Sequence, residues 1–235
     1  DLKINGFRVD TIKHVDIELW QQWIPAIEAH AEAEGIRDFF IFGENFDGLP
    51  ANLARFTRDA QFTSVLDFGL YYAIKDAVTD YQGTDRLAWV FSQDDLYKDG
   101  KTNTNHLMNF VSNHDVGRIG HFINNLPISE DEKLARAKLA QSLMFFSRGI
   151  PVVYYGDEQG FTGDGGDDHA REDMFPTQVP GYNDNNLLGS DASTADDNFD
   201  TSHPLYQHIR QLAGAYRSIR PLRVGHQSVL QSENS

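Results

Sequence analysis

Three apolar segments of the chain each end in a carboxylate with polar neighbours: Gly6-Phe7-Arg8-Val9-Asp10, followed by Lys13-His14; Phe42-Gly43-Glu44-Asn45; and Phe110-Val111-Ser112-Asn113-His114-Asp115. Each has an ordinary reading when taken alone. An Asp after a strand caps a helix or starts a turn, Lys13 is a solvated charge, and His114 is a hydrogen-bonded structural histidine. Arg8 could serve only to neutralise Asp10. Three such ends in one chain need another account, because gathering like charges costs energy and calls for a use. Two carboxyl groups flanking a bond, one ionised and one protonated, are the machinery of glycoside hydrolysis.

The elements that must carry these groups alternate. Short apolar runs at residues 4–9, 39–43, 64–68, 106–112 and 150–155 read as strands, and amphipathic stretches lie between them. That is the pattern of a parallel sheet with helical crossovers. The runs Phe39-Phe40-Ile41-Phe42 and Ile150-Pro151-Val152-Val153-Tyr154 are continuous, as in strands covered on both faces. Leu19, Trp20, Trp23, Ile24 and Ile27 fit one helical stripe, with Gly35 as its stop. Leu70, Tyr71, Ile74, Ala77, Val78 and Tyr81 fit a second. Ser129 and Glu132 form a capping box for a third, and Pro204 opens a fourth before Leu205, Ile209 and Leu212. In such an α/β arrangement the C-terminal strand ends share one rim, where Asp10, Glu44 and Asp115 would converge. Residues 156–200 hold twelve acidic residues and, apart from His169, one basic one, Arg171. They read as a long loop, and each acidic residue except Asp167 reads as part of a solvated rim. Pro221 ends the last helix, and residues 224–230 could begin another strand.

Composition narrows the possibilities. The 235 residues carry 20 Lys+Arg against 35 Asp+Glu, a net charge of −15, which argues against nucleic acid as a partner. No stretch reaches the ~18 apolar residues of a membrane span. The absence of cysteine excludes a disulfide framework, a thiolate metal site and a Cys nucleophile.

Taken in order, residues 6–14, Gly43-Glu44, residues 110–115 and Gly149-Ile150-Pro151-Val152-Val153-Tyr154-Tyr155-Gly156-Asp157-Glu158 resemble four signature segments of the α-amylase family of glycoside hydrolases. The resemblance implies a (β/α)8 TIM barrel of which residues 1–220 would form about strands four to eight, truncated at the N-terminus, with residues 221–235 starting a C-terminal β domain. It implies Asp10 as nucleophile, Arg8 as the cation that keeps it ionised and aimed, and Glu44 as general acid and then base. Asp115 would stabilise the transition state and hold sugar hydroxyls beside His114. Lys13 and His14 would line the leaving-group side, and Asp167 with Arg171 would grip glucosyl units on the other. The implied activity is retaining endo-hydrolysis of α-1,4-glucosidic bonds in starch and maltooligosaccharides. A transglycosylase or isomerase of the same family, or a non-catalytic barrel, are the alternatives. For retention, Asp10 and Glu44 should lie ~5–5.5 Å apart.

The resemblance also implies calcium in the complete protein, of whose ligands only the His14 backbone carbonyl is present, since the segments supplying the others are missing. Asp164, Asp167 and Asp168 do not have EF-hand spacing. Chloride is not expected, because nothing basic in residues 149–153 completes a site beside Arg8 and Asn113. The expected protein is a monomer acting outside the cell on a polymer too large to import, with its signal peptide not in this chain.

Overall fold

The computed structural model describes residues 4–79, 83–98, 103–163 and 165–230. Five short parallel strands run in sequence order: β1 (Gly6–Val9), β2 (Phe40–Gly43), β3 (Ser64–Val65), β4 (Met108–Asn109) and β5 (Ile150–Pro151). The first three form one sheet and the last two another, joined by a parallel bridge between Leu66 and Met108. Each strand lies where an apolar run predicts it but is shorter than that run. In the last three runs the residues beyond the strand, 66–68, 110–112 and 152–155, continue from its C-terminal end.

Eight helices accompany the strands among the described residues: α1 (Ile17–Ala33), α2 (Pro50–Arg58), α3 (Phe68–Thr79), α4 (Asp85–Ser92), α5 (Ile119–Asn124), α6 (Glu130–Phe146), α7 (Pro204–Ser218) and α8 (Pro221–Val224). Their ends obey local chemistry. Gly35 takes φ +80° just past α1, as a left-handed stop requires. The Ser129 hydroxyl accepts the Glu132 N–H at 3.3 Å at the head of α6. Pro204 stands in the first turn of α7. Tyr81, expected on the α3 stripe, lies outside the described residues.

The apolar faces meet in two main clusters. One joins α1 and α2 to the first three strands through Trp20, Ile24, Ile41 and Leu53, and the other joins α3, α6 and α7 through Ile74, Ala140, Met144 and Leu212. The continuous run at β2 is covered on one face only: Ile41 is fully buried, whereas Phe40 and Phe42 are half-buried and pack against each other at 6.2 Å. Residues 225–230 form no strand; Val224 closes α8, and residues 231–235 lie outside the described residues.

The acidic loop is not the open rim its composition suggests. Three 3-10 turns and a bridge between Asn186 and Ser193 organise it, and Phe161, Ala170, Leu188 and Thr194 are buried anchors. Two of its acidic residues, Asp157 and Glu172, are buried rather than solvated. Asp164 lies outside the described residues.

Candidate active site

Register brings the first two carboxylates together. Val9 of β1 pairs with Gly43 of β2, so Asp10 and Glu44 leave adjacent parallel strands at the same level. The Glu44 N–H donates to the Val9 carbonyl at 2.8 Å, and the Glu44 carbonyl accepts from Ile12 N–H at 3.1 Å. Arg8 precedes Asp10 by two residues and so shares its face of the strand. The chain then turns sharply at Thr11, whose φ of 51° is unusual for a β-branched residue and marks local strain beside the site. That turn drops Ile12 against the end of β2, where a Cβ on Gly43 would come within 2.4 Å of the Ile12 side chain. Any larger residue there would have to displace the Ile12 side chain.

The Arg8 guanidinium lies between the two acids. Nη2 donates to Glu44 Oε2 at 2.5 Å and stands 3.6 Å from Asp10 Oδ1. Arg8 is thus nearer to Glu44 than to Asp10, because the buried carboxyl, with little water available, takes the closer partner. The two side chains differ in exposure, 8% for Glu44 and 65% for Asp10. Burial, followed by a hydrogen bond with Asp10, raises the Glu44 pKa to about 7; Arg8 opposes this, while the charges of Asp10 and Asp115 add to it. A carboxyl group that holds its proton near neutrality therefore stands beside an open one.

The third carboxylate is set by a turn. The Asn113 side-chain oxygen accepts the N–H groups of Asp115 and Val116, both at 2.8 Å, which fixes the peptide after β4. His114 Nε2 lies 3.3 Å from Asp115 Oδ2. From the acidic loop, Arg171 Nη2 reaches Asp167 Oδ1 at 2.7 Å and Asp115 Oδ1 at 4.0 Å. The sequence-derived residues thus form two groups: Arg8, Asp10 and Glu44, and His114, Asp115, Asp167 and Arg171. The charge of Asp115 is felt at Glu44 and links them.

Lys13 stands apart from both groups. Its ammonium donates to the Phe46 carbonyl at 3.1 Å and sits 5.8 Å above the Phe46 ring. His14 ends the 3-10 turn, exposed. Calcium asks for six to eight oxygens. No group of three His, Asp or Glu side chains able to hold a metal exists among the described residues. The described side chains alone do not supply that set of oxygens.

Sequence reasoning missed Phe46, which rests on Phe68 at 4.6 Å beneath Lys13, and the Arg118 cluster. Arg118 is fully buried and donates to Glu172 Oε2 at 2.6 Å, to the Tyr155 carbonyl at 2.8 Å and to Asp157 Oδ1 at 3.2 Å. Proximity in sequence was the available signal. Phe46 follows Glu44 by two residues, Arg118 follows Asp115 by three, and Glu172 adjoins Arg171.

The family model described as "Alpha amylase, catalytic domain" matches residues 1–186. The chain belongs to the alpha-amylase family. It is 44% identical over 215 residues to an alpha-amylase of Streptomyces lividans, a match covering 91% of this chain and 23% of that protein. A cyclomaltodextrin glucanotransferase of Niallia circulans is 29% identical over 191 residues, covering 78% of this chain and 24% of the relative. The chain therefore spans about a quarter of the length of these relatives. Among solved structures, an Anoxybacillus alpha-amylase superimposes with a TM-score of 0.75 at 22% identity, over 98% of this chain and 43% of that one. The fold is that of the TIM barrel, of which this chain presents a partial α/β unit. No helix among the described residues is long and apolar enough to cross a membrane.

Proposed function

We propose that this alpha-amylase family chain supplies the catalytic groups of a retaining enzyme that cuts α-1,4-glucosidic bonds within starch-like glucans. The observation that carries this reading is the pairing of a buried Glu44, its pKa raised to about 7, with an exposed Asp10 on the neighbouring strand end. In the first step the Asp10 carboxylate attacks the anomeric carbon while Glu44 gives its proton to the departing glycosidic oxygen. In the second, the Glu44 carboxylate takes a proton from the incoming water, which displaces Asp10 and restores both groups. Asp115, with His114, holds sugar hydroxyls, and Asp167 with Arg171 binds the chain beyond them. Lys13 and His14 face the leaving group.

Spacing supports retention. Asp10 Oδ1 and Glu44 Oε2 contact the same Arg8 nitrogen, at 3.6 and 2.5 Å, so their separation cannot exceed the two distances combined. Two carboxyl groups that share one guanidinium nitrogen stand close together, in keeping with the short spacing of retaining enzymes. The five strand–helix units correspond, on this reading, to the later strands of an eight-stranded barrel. A polymeric substrate would place the enzyme outside the cell.

Likeness to a glucanotransferase supports a second reading, transfer of the glycosyl group to a sugar, which uses the same carboxylates. Incubating the complete protein with one maltooligosaccharide of defined length separates the two. Shorter products released first as the α-anomer are expected. Products longer than the substrate would establish transfer, and β-anomers would contradict the mechanism.

A further inference from the structure

We propose that Arg118 is a positioning residue: its buried ion pair with Glu172 fixes Arg171 and Asp167 against Asp115. The proposal rests on the glucan-cleaving role given above to those three groups. Asp167 and Arg171 are largely open to solvent, with side chains 70% and 45% exposed. Long exposed side chains in such a pair are weakly held. What holds them lies immediately beside them in the chain. The Ala170 carbonyl accepts the Tyr154 hydroxyl at 3.0 Å, and Glu172 is fully buried on Arg118 at 2.6 Å, so Arg171 is clamped on both sides.

The other end of the tie is equally short. Arg118 is three residues from Asp115, and the turn between them presses on the acidic loop. Gly117 has φ +82°, and a Cβ there would meet the Gly165 carbonyl at 2.5 Å. The guanidinium is wedged 4.6 Å from the Tyr154 ring centre and 5.0 Å from that of Phe161, which fixes its plane and hence the direction of its bond to Glu172. Two peptides that carry substrate-binding groups are thereby joined, and the buried Arg118–Glu172 bond is the side-chain tie adjoining Arg171.

The test uses the complete protein, a maltooligosaccharide substrate and four variants: Glu172→Gln, Arg118→Lys, Tyr154→Phe and Arg171→Ala. Glu172→Gln and Arg118→Lys should raise KM about tenfold with kcat changed far less, because displacing the gripping groups weakens binding more than bond cleavage. Tyr154→Phe, which removes one hydroxyl and keeps the packing, should raise KM about threefold with an unchanged melting curve. Each effect should vanish in the Arg171→Ala background, since Arg118 acts through that residue. Unchanged KM in the folded variants would overturn the proposal, as would the same factor in the presence and absence of Arg171. If Glu172→Gln does not fold, Arg118→Lys, which keeps a charge between the two acids but loses the guanidinium geometry, decides by the same criteria. A wild-type protein that leaves maltooligosaccharides intact would instead remove the proposed function.

Discussion

On the β1–β2 side of the rim, Asp10 and Glu44 are placed by strand register and by backbone hydrogen bonds to the residues around them. On the β4 side, Asp115, Asp167 and Arg171 stand on turns, and the ties between those turns run through a buried arginine. Each side is organised by one guanidinium, yet the two work under different conditions. The Arg8 side chain is 37% exposed, whereas Arg118 is sealed among aromatic rings between two buried acids. Beside the partly exposed Arg8, burial keeps a proton on Glu44 up to about pH 7, and the site retains that group for proton transfer. Where water is excluded, charge serves to fix geometry. Even there the balance is uneven, since burial pushes the Asp157 pKa up to about 6 although Arg118 opposes it.

Mutations that act on one side and spare the other would break or sharpen this contrast. The largest effect should come from Glu44→Gln, which keeps shape and removes the proton: turnover should fall about 10²–10⁴-fold while denaturation is unchanged. Retained turnover would mean that another group is the acid. Next, Arg118→Met should cost about 3–5 kcal/mol of stability in denaturant titrations, because it leaves two acids buried without a partner. Arg8→Met should cost no more than about 1 kcal/mol, since that pair is partly exposed and Glu44 can hold its own proton. Equal losses would erase the distinction between the two arginines. Gly117→Ala, forced into φ +82° against the Gly165 carbonyl, should cost about 1–3 kcal/mol and weaken substrate binding with it.

The pH response gives a graded effect. The proposed mechanism requires Glu44 protonated, so kcat/KM should fall about tenfold per pH unit above about 7, the value to which its pKa is raised. The same shift has a defined sign for stability. A carboxyl whose folded pKa lies above its unfolded value binds more protons when folded, so its contribution to stability declines between about pH 4.5 and 7. Glu44→Gln should flatten the melting temperature across that window, and an unaltered slope would place the raised pKa elsewhere.

The strand side was legible in sequence because its information is local. An apolar run, a glycine and a carboxylate at each end suffice to align Asp10 with Glu44 once the strands are parallel. Helix ends were legible for the same reason, through Gly35, Ser129 and Pro204. On the β4 side His114, Asp115, Asp167 and Arg171 were legible, but the buried tie between their turns was not, because a buried arginine and a solvated one have the same letter. Arg118 finds Glu172 across 54 positions, and nothing in their spacing announces it. For the same reason the loop's density of acids suggested a rim, although Asp157 and Glu172 are among its deepest residues. The half-covered Phe40 and Phe42 teach a related lesson: an unbroken apolar run fixes a strand, but what lies over its second face depends on the rest of the fold.

Trapping the glycosyl-enzyme tests the central assignment most directly. The complete protein carrying Glu44→Gln would be treated with a fluorinated maltosyl fluoride, whose leaving group needs no acid, and the digest examined by mass spectrometry. The account predicts a sugar adduct on the peptide containing Asp10, at its carboxylate. An adduct on Asp115, or a protein that turns over the reagent with no covalent species, would contradict it.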